Sequence, residues 1–353
     1  MFGCANASVP LASATIDGRN AVGMHRHRQV EVSLRAPLTS AGAGDHSCVP
    51  GRGCEMLVLD EAAVRELLRM EELIPAMERA LADLSIGKVV QPVRTMVPIA
   101  EHQGFLGLMA AYAGALGVKL VAFYPNNTGV PTHHAVVQLF NPDTGEPLVL
   151  MDGRLITEER TAAVSAVATK HLARPDAAVL ALIGSGVQAR SHLKALPLVR
   201  EFREVRVWSP RHAADFAREF SVRAVASPEE AVVGADVIVT ATPSQTPVLC
   251  GEWLSPGVHI NAVGWRSSAS RELDDEVLRR ARLYVESREA AEKESADVRA
   301  GEVVAELGEV VAGTKPGRQS AGEITVFKSL GQAVEDVVSG DLIYRKAVQT
   351  GRR

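Results

Sequence analysis

Two groups of residues in this 353-residue chain could do chemistry. The first is Gly184-Ser185-Gly186-Val187-Gln188-Ala189, which follows the apolar run Val179-Leu180-Ala181-Leu182-Ile183. A buried strand that turns through two glycines straight into a helix is a phosphate cradle. Gly184 permits the turn, Gly186 lets the backbone approach a pyrophosphate with no Cβ in the way, and Ala189 is small enough for the helix to pack on its strand. The helix start offers free N–H groups and a positive dipole end to the phosphates. The second group is three cations in apolar strand or helix-start contexts: Arg94 in Gln91-Pro92-Val93-Arg94-Thr95, Lys119 in Gly117-Val118-Lys119-Leu120-Val121, and Arg160 in Glu158-Glu159-Arg160-Thr161-Ala162-Ala163. Brought together, they would receive a carboxylate, arginine supplying a bidentate fork and lysine a point charge or a proton. Taken singly, each reads more readily as a surface cation or a structural ion-pair partner than as a ligand group, and sequence does not show convergence.

The elements that must position these groups follow from the pattern around them. Val205-Arg206-Val207-Trp208, Ala235 to Thr242, Val258 to Gly264 and Arg282 to Val285 are short, apolar and β-branched. They alternate with helical patterns at Arg211 to Phe220 and Ser227 to Gly234, the latter opened by Ser227-Pro228-Glu229-Glu230, an N-cap with proline at the first helical position. Such alternation predicts a Rossmann-type, doubly wound parallel sheet whose ligand crevice lies beyond the strand C-termini. Upstream, helical patterns at Asp60 to Leu68 and Glu71 to Leu84 precede strands at Arg94 to Pro98, Phe105 to Ala111, Val118 to Tyr124, Ala135 to Asn141 and Leu148 to Asp152. Asn141-Pro142-Asp143-Thr144-Gly145-Glu146 turns the last two into a hairpin. A helix is expected from about Glu158 to Leu172, and another over Lys328 to Val338. The fold class is therefore α/β, with an α+β dimerisation and substrate domain over 56–172, completed by about 325–353, and a nucleotide domain over 173–324. Residues 1–55, rich in Ala, Gly, Ser and Arg without periodicity, are expected to be a disordered extension.

A net charge of −4 and a sequence pI near 6.2 argue against nucleic acid as the main partner. No apolar run suits a membrane span, and a cytoplasmic protein is expected. Cys4, Cys48, Cys54 and Cys250 show neither a metal-ligand spacing nor a disulfide framework, so no metal is expected.

Several strings, in order, resemble the ornithine cyclodeaminase and mu-crystallin family: Gln91 to Thr95; Met151-Asp152-Gly153 with Ile156-Thr157 and Arg160 to Ala166; the Gly184 to Ala189 turn; Gly251-Glu252-Trp253; His259 to Gly264; Glu272 to Asp275; Glu306 to Val310; and Thr325 to Gly331. The resemblance runs from about Met56 to about Lys346. It implies a homodimer joined through the N-terminal domains, with the active site between that domain and the nucleotide domain. It implies that Arg94, Lys119 and Arg160 hold or polarise a substrate beside a nicotinamide, with Thr132 and His133 near the nicotinamide end. It also implies that Arg160, Thr161, Thr242, Val263 and Ser329 line the rest of the cofactor site, and that Glu294 sits at the ligand pocket.

Two departures separate members of the family. Cyclodeaminases carry an acid just after the Asn-Ala-Val-Gly string, whereas here Trp265 to Arg271 contains none, so the expected acid/base is missing. After the second strand an NAD enzyme has an acid for the ribose hydroxyls, whereas this chain reads Trp208-Ser209-Pro210-Arg211-His212. Ser209 with Arg211 and His212 suits a 2′-phosphate, so NADP(H) is favoured over NAD(H). The expected function is reduction of imines bearing an α-carboxylate, of the pyrroline- or piperideine-2-carboxylate type. The alternatives are an NAD-dependent ornithine cyclodeaminase and an NADPH-dependent ligand-binding protein with little turnover.

Overall fold

The computed structural model describes residues 56–264 and 269–352. The expected extension over residues 1–55, with Cys4, Cys48 and Cys54, lies outside them, as do Trp265 to Ser268.

Two sheets organise the described chain. The first contains β1 (Leu57–Leu59), β2 (Thr95–Ile99), β3 (Gly104–Tyr112), β4 (Leu116–Phe123), β5 (His133–Phe140) and β6 (Pro147–Asp152), in the order β1-β6-β5-β4-β3-β2. It is antiparallel apart from the β1 edge. Period-two alternation gives each strand an inner face, and register places Lys119 between Met109 and Val137 on that buried face. Helices α1 (Glu61–Leu67), α2 (Met70–Ser85) and α3 (Arg154–Leu172) follow or precede these strands, Asp60 capping α1 by accepting from the Ala63 amide at 2.8 Å.

The second sheet is parallel throughout: β7 (Val179–Ile183), β8 (Glu204–Trp208), β9 (Arg223–Ala224), β10 (Val237–Thr240), β11 (His259–Ala262), β12 (Ala281–Val285), β13 (Val303–Glu306) and β14 (Ile324–Lys328). Its order is β13-β12-β14-β11-β10-β7-β8-β9. The chain runs outward from β7 through β8 and β9, then returns to lay β10 on the other side of β7. That reversal opens a crevice beyond the ends of β7 and β10, the place where a doubly wound sheet receives a ligand. The intervening helices are α4 (Val187–Ala195), α5 (Ala213–Phe220), α6 (Pro228–Val232), α7 (Asp275–Arg280), α8 (Arg288–Glu294), α9 (Ala296–Ala300) and α10 (Leu307–Val311), and α11 (Ala333–Gln349) ends the chain's regular structure. No helix among the described residues is long and apolar enough to cross a membrane.

Two expected helices differ from those observed. Helix α3 opens at Arg154 rather than about Glu158, because Asp152 Oδ1 accepts from the amides of Arg154 at 3.1 Å and Leu155 at 3.3 Å. The expected helix over Lys328 to Val338 is two elements. Ile324 to Lys328 is the fully buried strand β14, and only from Ala333 does α11 begin. Gly331, at φ +74°, makes the break, and α11 then packs against β3, β4 and β5.

Candidate active site

One cavity of about 320 Å³ is lined from both sheets. Arg94, Lys119 and Arg160 all reach it, so the three cations converge. They do not converge as free charges. Lys119 Nζ lies 2.7 Å from Asp336 Oδ2, and Arg160 donates from Nη1 to Glu335 at 2.7 Å and from Nε to Asp336 at 3.1 Å. Arg94 Nε pairs with Glu294 at 2.9 Å, while its Nη2 donates to the carbonyls of Leu330 at 2.9 Å and Gly331 at 2.6 Å. The expected bidentate fork is thus corrected at both arginines: Arg160 commits Nε and Nη1, and Arg94 commits Nε and Nη2, within the protein. The ion-pair reading of these cations therefore holds, and the same three side chains line the cavity.

Burial sets the electrostatics. Lys119 and Arg160 are 2% and 4% exposed, while Glu335 and Asp336 are fully buried, so each charge depends on its partner. Burial pulls Lys119 down to about 8 against the upward pull of Asp336, with Arg160 and Arg94 lowering it further. Asp336 is also penalised by burial, but Lys119 and Arg160 overcome it and hold its carboxyl below the usual range. Glu335 goes the other way: burial, with Glu286 and Asp336 adding repulsion, pushes it up despite Arg160. Burial likewise raises Glu294, opposed by Arg94. His133, on β5, is pulled down to about 4 by burial and by Lys119 and Arg160, so it is neutral at pH 7.

The strand, glycine turn and helix over 179–195 form as the sequence predicts, with one change of emphasis. Gly184 has φ +118°, and a Cβ there would lie 2.4 Å from the Ala241 carbonyl oxygen, so the glycine serves both a turn and a close packing of backbones. A Cβ on Gly186 would meet no protein atom within 4 Å, so that glycine opens onto free space, and no side chain caps α4. The uncapped helix start facing this space fits a dinucleotide's pyrophosphate. Changing Gly184 to Ala is expected to cost about 2 kcal/mol or more, through positive φ and overlap together. A thermal unfolding midpoint equal to wild type would contradict that.

Twelve of the expected site residues line the main cavity: Arg94, Lys119, Thr132, His133, Arg160, Thr161, Val187, Gln188, Thr242, Val263, Glu294 and Ser329. Gly184, Ser185, Gly186, Ser209, Arg211 and His212 stand outside that lining, at the ends of β7 and β8. Ser185 Oγ donates to Ser209 Oγ at 2.9 Å, and Ser209 Oγ accepts from the His212 amide at 3.1 Å. Arg211 is exposed beside them.

Four carboxylates escaped the sequence reading. Glu335 and Asp336 stand in Val334-Glu335-Asp336-Val337, acids in an otherwise apolar helix start, which is the signal that singled out the cations. Glu286 accepts from Ser329 Oγ at 2.9 Å and from the amides of Leu330 and Gly331 at 3.0 and 3.1 Å, fixing the loop that holds Arg94. Glu272 is the first acid after the Asn-Ala-Val-Gly string. It accepts from Thr240 Oγ1 at 2.7 Å, from the Thr242 amide and Oγ1 at 2.8 and 2.7 Å, and from the Gly264 amide at 2.7 Å. Its oxygens are occupied in shaping the wall around Thr242 and Val263, not in facing a substrate.

A doubly wound parallel sheet with a glycine turn at its crevice, beside a cationic cavity, places the chain in the Rossmann-type class of α/β proteins. The particular lineage is equally plain: the chain belongs to the ornithine cyclodeaminase/mu-crystallin family, whose profile matches residues 54–351. The ketimine reductase mu-crystallin of Mus musculus is 51% identical over 301 residues, 81% of this chain and 96% of that protein. Thermococcus litoralis Delta(1)-pyrroline-2-carboxylate reductase, solved in complex with NADH and L-proline, superposes with a TM-score of 0.81 at 40% identity, covering 84% of this chain and 98% of that one. An archaeal alanine dehydrogenase dimer with bound NAD gives a TM-score of 0.79 at 35% identity, covering 84% and 97%.

Proposed function

We propose that this protein is an NAD(P)H-dependent reductase of imines bearing an α-carboxylate, of the cyclic pyrroline- or piperideine-2-carboxylate type. The observation that carries the reading is the convergence of Arg94, Lys119 and Arg160 on one cavity that also reaches the cofactor-side residues Val187, Thr242 and Val263. Burial works against the charged forms of Glu335 and Glu294, which weakens the acids that oppose Arg160 and Arg94 and favours a carboxylate ligand. The mouse ketimine reductase and the thermococcal enzyme bound to NADH and proline support the same chemistry.

When bound, the nicotinamide supplies the hydride. Arg94, held by the Leu330 and Gly331 carbonyls, meets the substrate carboxylate, and Arg160 adds positive charge behind it. Lys119, with its proton loosened by burial, delivers that proton at the imine nitrogen. Neutral His133, with Thr132, contacts the nicotinamide end, and Glu294 orients Arg94. The Gly184, Ser185, Gly186, Val187 and Gln188 turn holds the pyrophosphate, with Thr161 and Ser329 flanking the nicotinamide.

NADP(H) is the favoured cofactor, because the end of β8 presents Ser209, Arg211 and His212 and no acid. Ser209→Asp combined with Arg211→Ala should shift kcat/KM toward NADH, the new acid repelling a 2′-phosphate and accepting from ribose hydroxyls. Wild-type preference for NADH would end this reading before any variant was made. The protein acts as a homodimer, with 56–172 and helix α11 as the dimerisation and substrate domain and 173–324 as the cofactor domain. The first sheet supports this: Leu106, Leu108 and Tyr112 on β3 and Val136 on β5, with β4 between them, stand exposed, an apolar surface of the kind a subunit interface covers. A cytoplasmic setting suits the free thiol of Cys250.

The function is tested by incubating purified protein with NADPH or NADH and a panel of cyclic imines. Cofactor oxidation supports imine reduction. Ammonia released from ornithine would instead make it a cyclodeaminase, and ligand binding without turnover would make it a binding protein.

A further inference from the structure

We infer that Asp336 is the positioning residue of this site: its carboxylate fixes the Lys119 ammonium at the cavity floor and keeps it charged for proton delivery. The inference rests on the imine-reductase reading above. Lys119 rises from the inner face of β4 and is 2% exposed, so water does not solvate its charge. The groups facing it come from every packed element. Helix α3 presents Arg160 and Thr157, whose Oγ1 accepts from Nζ at a long 3.4 Å. The segment before β2 presents Arg94, and β5 presents His133, held neutral. Neighbouring β3 contributes only the apolar Met109 beside it. Helix α11 presents Glu335, whose Oε2 is bonded to Arg160, and Asp336.

Among the described residues Asp336 is the only carboxylate within ion-pair distance of Lys119, at 2.7 Å, while two guanidiniums push the other way. Asp336 also accepts from Arg160 Nε at 3.1 Å, so a single carboxylate spaces the two cations. Its place in the first turn of the 17-residue α11 steadies its negative charge. Remove that charge, and Lys119 loses the main partner that opposes burial and repulsion; it then sheds its proton at lower pH and turns neutral under working conditions.

The test follows kcat and kcat/KM for imine reduction from about pH 6 to about pH 10 in wild type and Asp336→Asn. The expected result is an alkaline limb displaced toward acid by about one pH unit or more, with kcat about tenfold lower near pH 8. Asp336→Glu, which keeps the charge, should hold the limb near its wild-type position. Asp336→Asn added to Lys119→Met should cause no further loss, because the effect passes through Lys119. If Asp336→Asn does not fold, Asp336→Ser, which leaves room for a water, carries the same profile. An unmoved limb, or losses that multiply in the double variant, overturns the inference while wild-type turnover leaves the reductase reading standing. Absence of imine turnover in wild type removes both.

Discussion

Arg160→Ala is expected to lower folding stability by about 3–5 kcal/mol, because it strands two carboxylates that no water reaches. Arg160 donates to Glu335 and Asp336, both fully buried, and Lys119 remains for Asp336 alone. The cost corresponds to a fall in Tm on the order of 10 °C. Its pH dependence has a definite sign. Without Arg160 the folded-state pKa of Glu335, already raised by burial, climbs further and the lowering of Asp336 weakens, so the variant gains stability relative to wild type as pH falls and loses it as pH rises through the folded pKa values. Glu335→Gln introduced beside Arg160→Ala should recover part of the loss by removing one stranded charge. Calorimetry or thermal denaturation at two pH values checks this, and a Tm matching wild type would mean that the carboxylates are not compensated through Arg160.

Lys119→Met should reduce turnover about a hundredfold, on the order of 3 kcal/mol of transition-state stabilisation, while Arg94→Ala should chiefly raise KM. The difference reflects their surroundings: Lys119 is buried against Asp336 at the floor, and Arg94 is the more exposed cation pinned to a loop. In wild type, activity should decline as pH rises through about 8, where Lys119 loses its proton. Lys119→Arg, which cannot deprotonate in that range, should retain whatever activity it has at higher pH. The stability sign is the reverse. The unfolded chain keeps the lysine proton up to its ordinary range, so the penalty for charged, buried Lys119 is full below about 8 and fades as pH climbs toward 10.5. A Lys119→Met enzyme with wild-type kcat and KM would reduce Lys119 to a structural cation.

The residues that read clearly in the sequence are those whose physics is local. The turn at Gly184 to Ala189 needs only a buried strand, a positive φ and a bare helix start, and all three are present within a few residues. The caps at Asp60 and Ser227 depend on neighbours three positions off, and the strands on an alternation that repeats every second residue. The start of α3 is not legible in the sequence because Asp152 reaches past a glycine to cap it, and β14 is not because a short apolar run reads equally as strand or helix until its neighbours β11 and β12 are known.

By itself, then, the sequence determined the doubly wound sheet, the glycine turn from strand to helix and the identity of three embedded cations. Tertiary structure alone decided that those cations share a cavity and how they are paired. The distances from Lys119 to Asp336 and from Arg160 to Glu335 close across 217 and 175 residues of chain. No periodicity carries information over such separations. What brings them together is the return of α11 to the first sheet after β14 has crossed the second, and the need of buried charges for partners makes that return energetically specific.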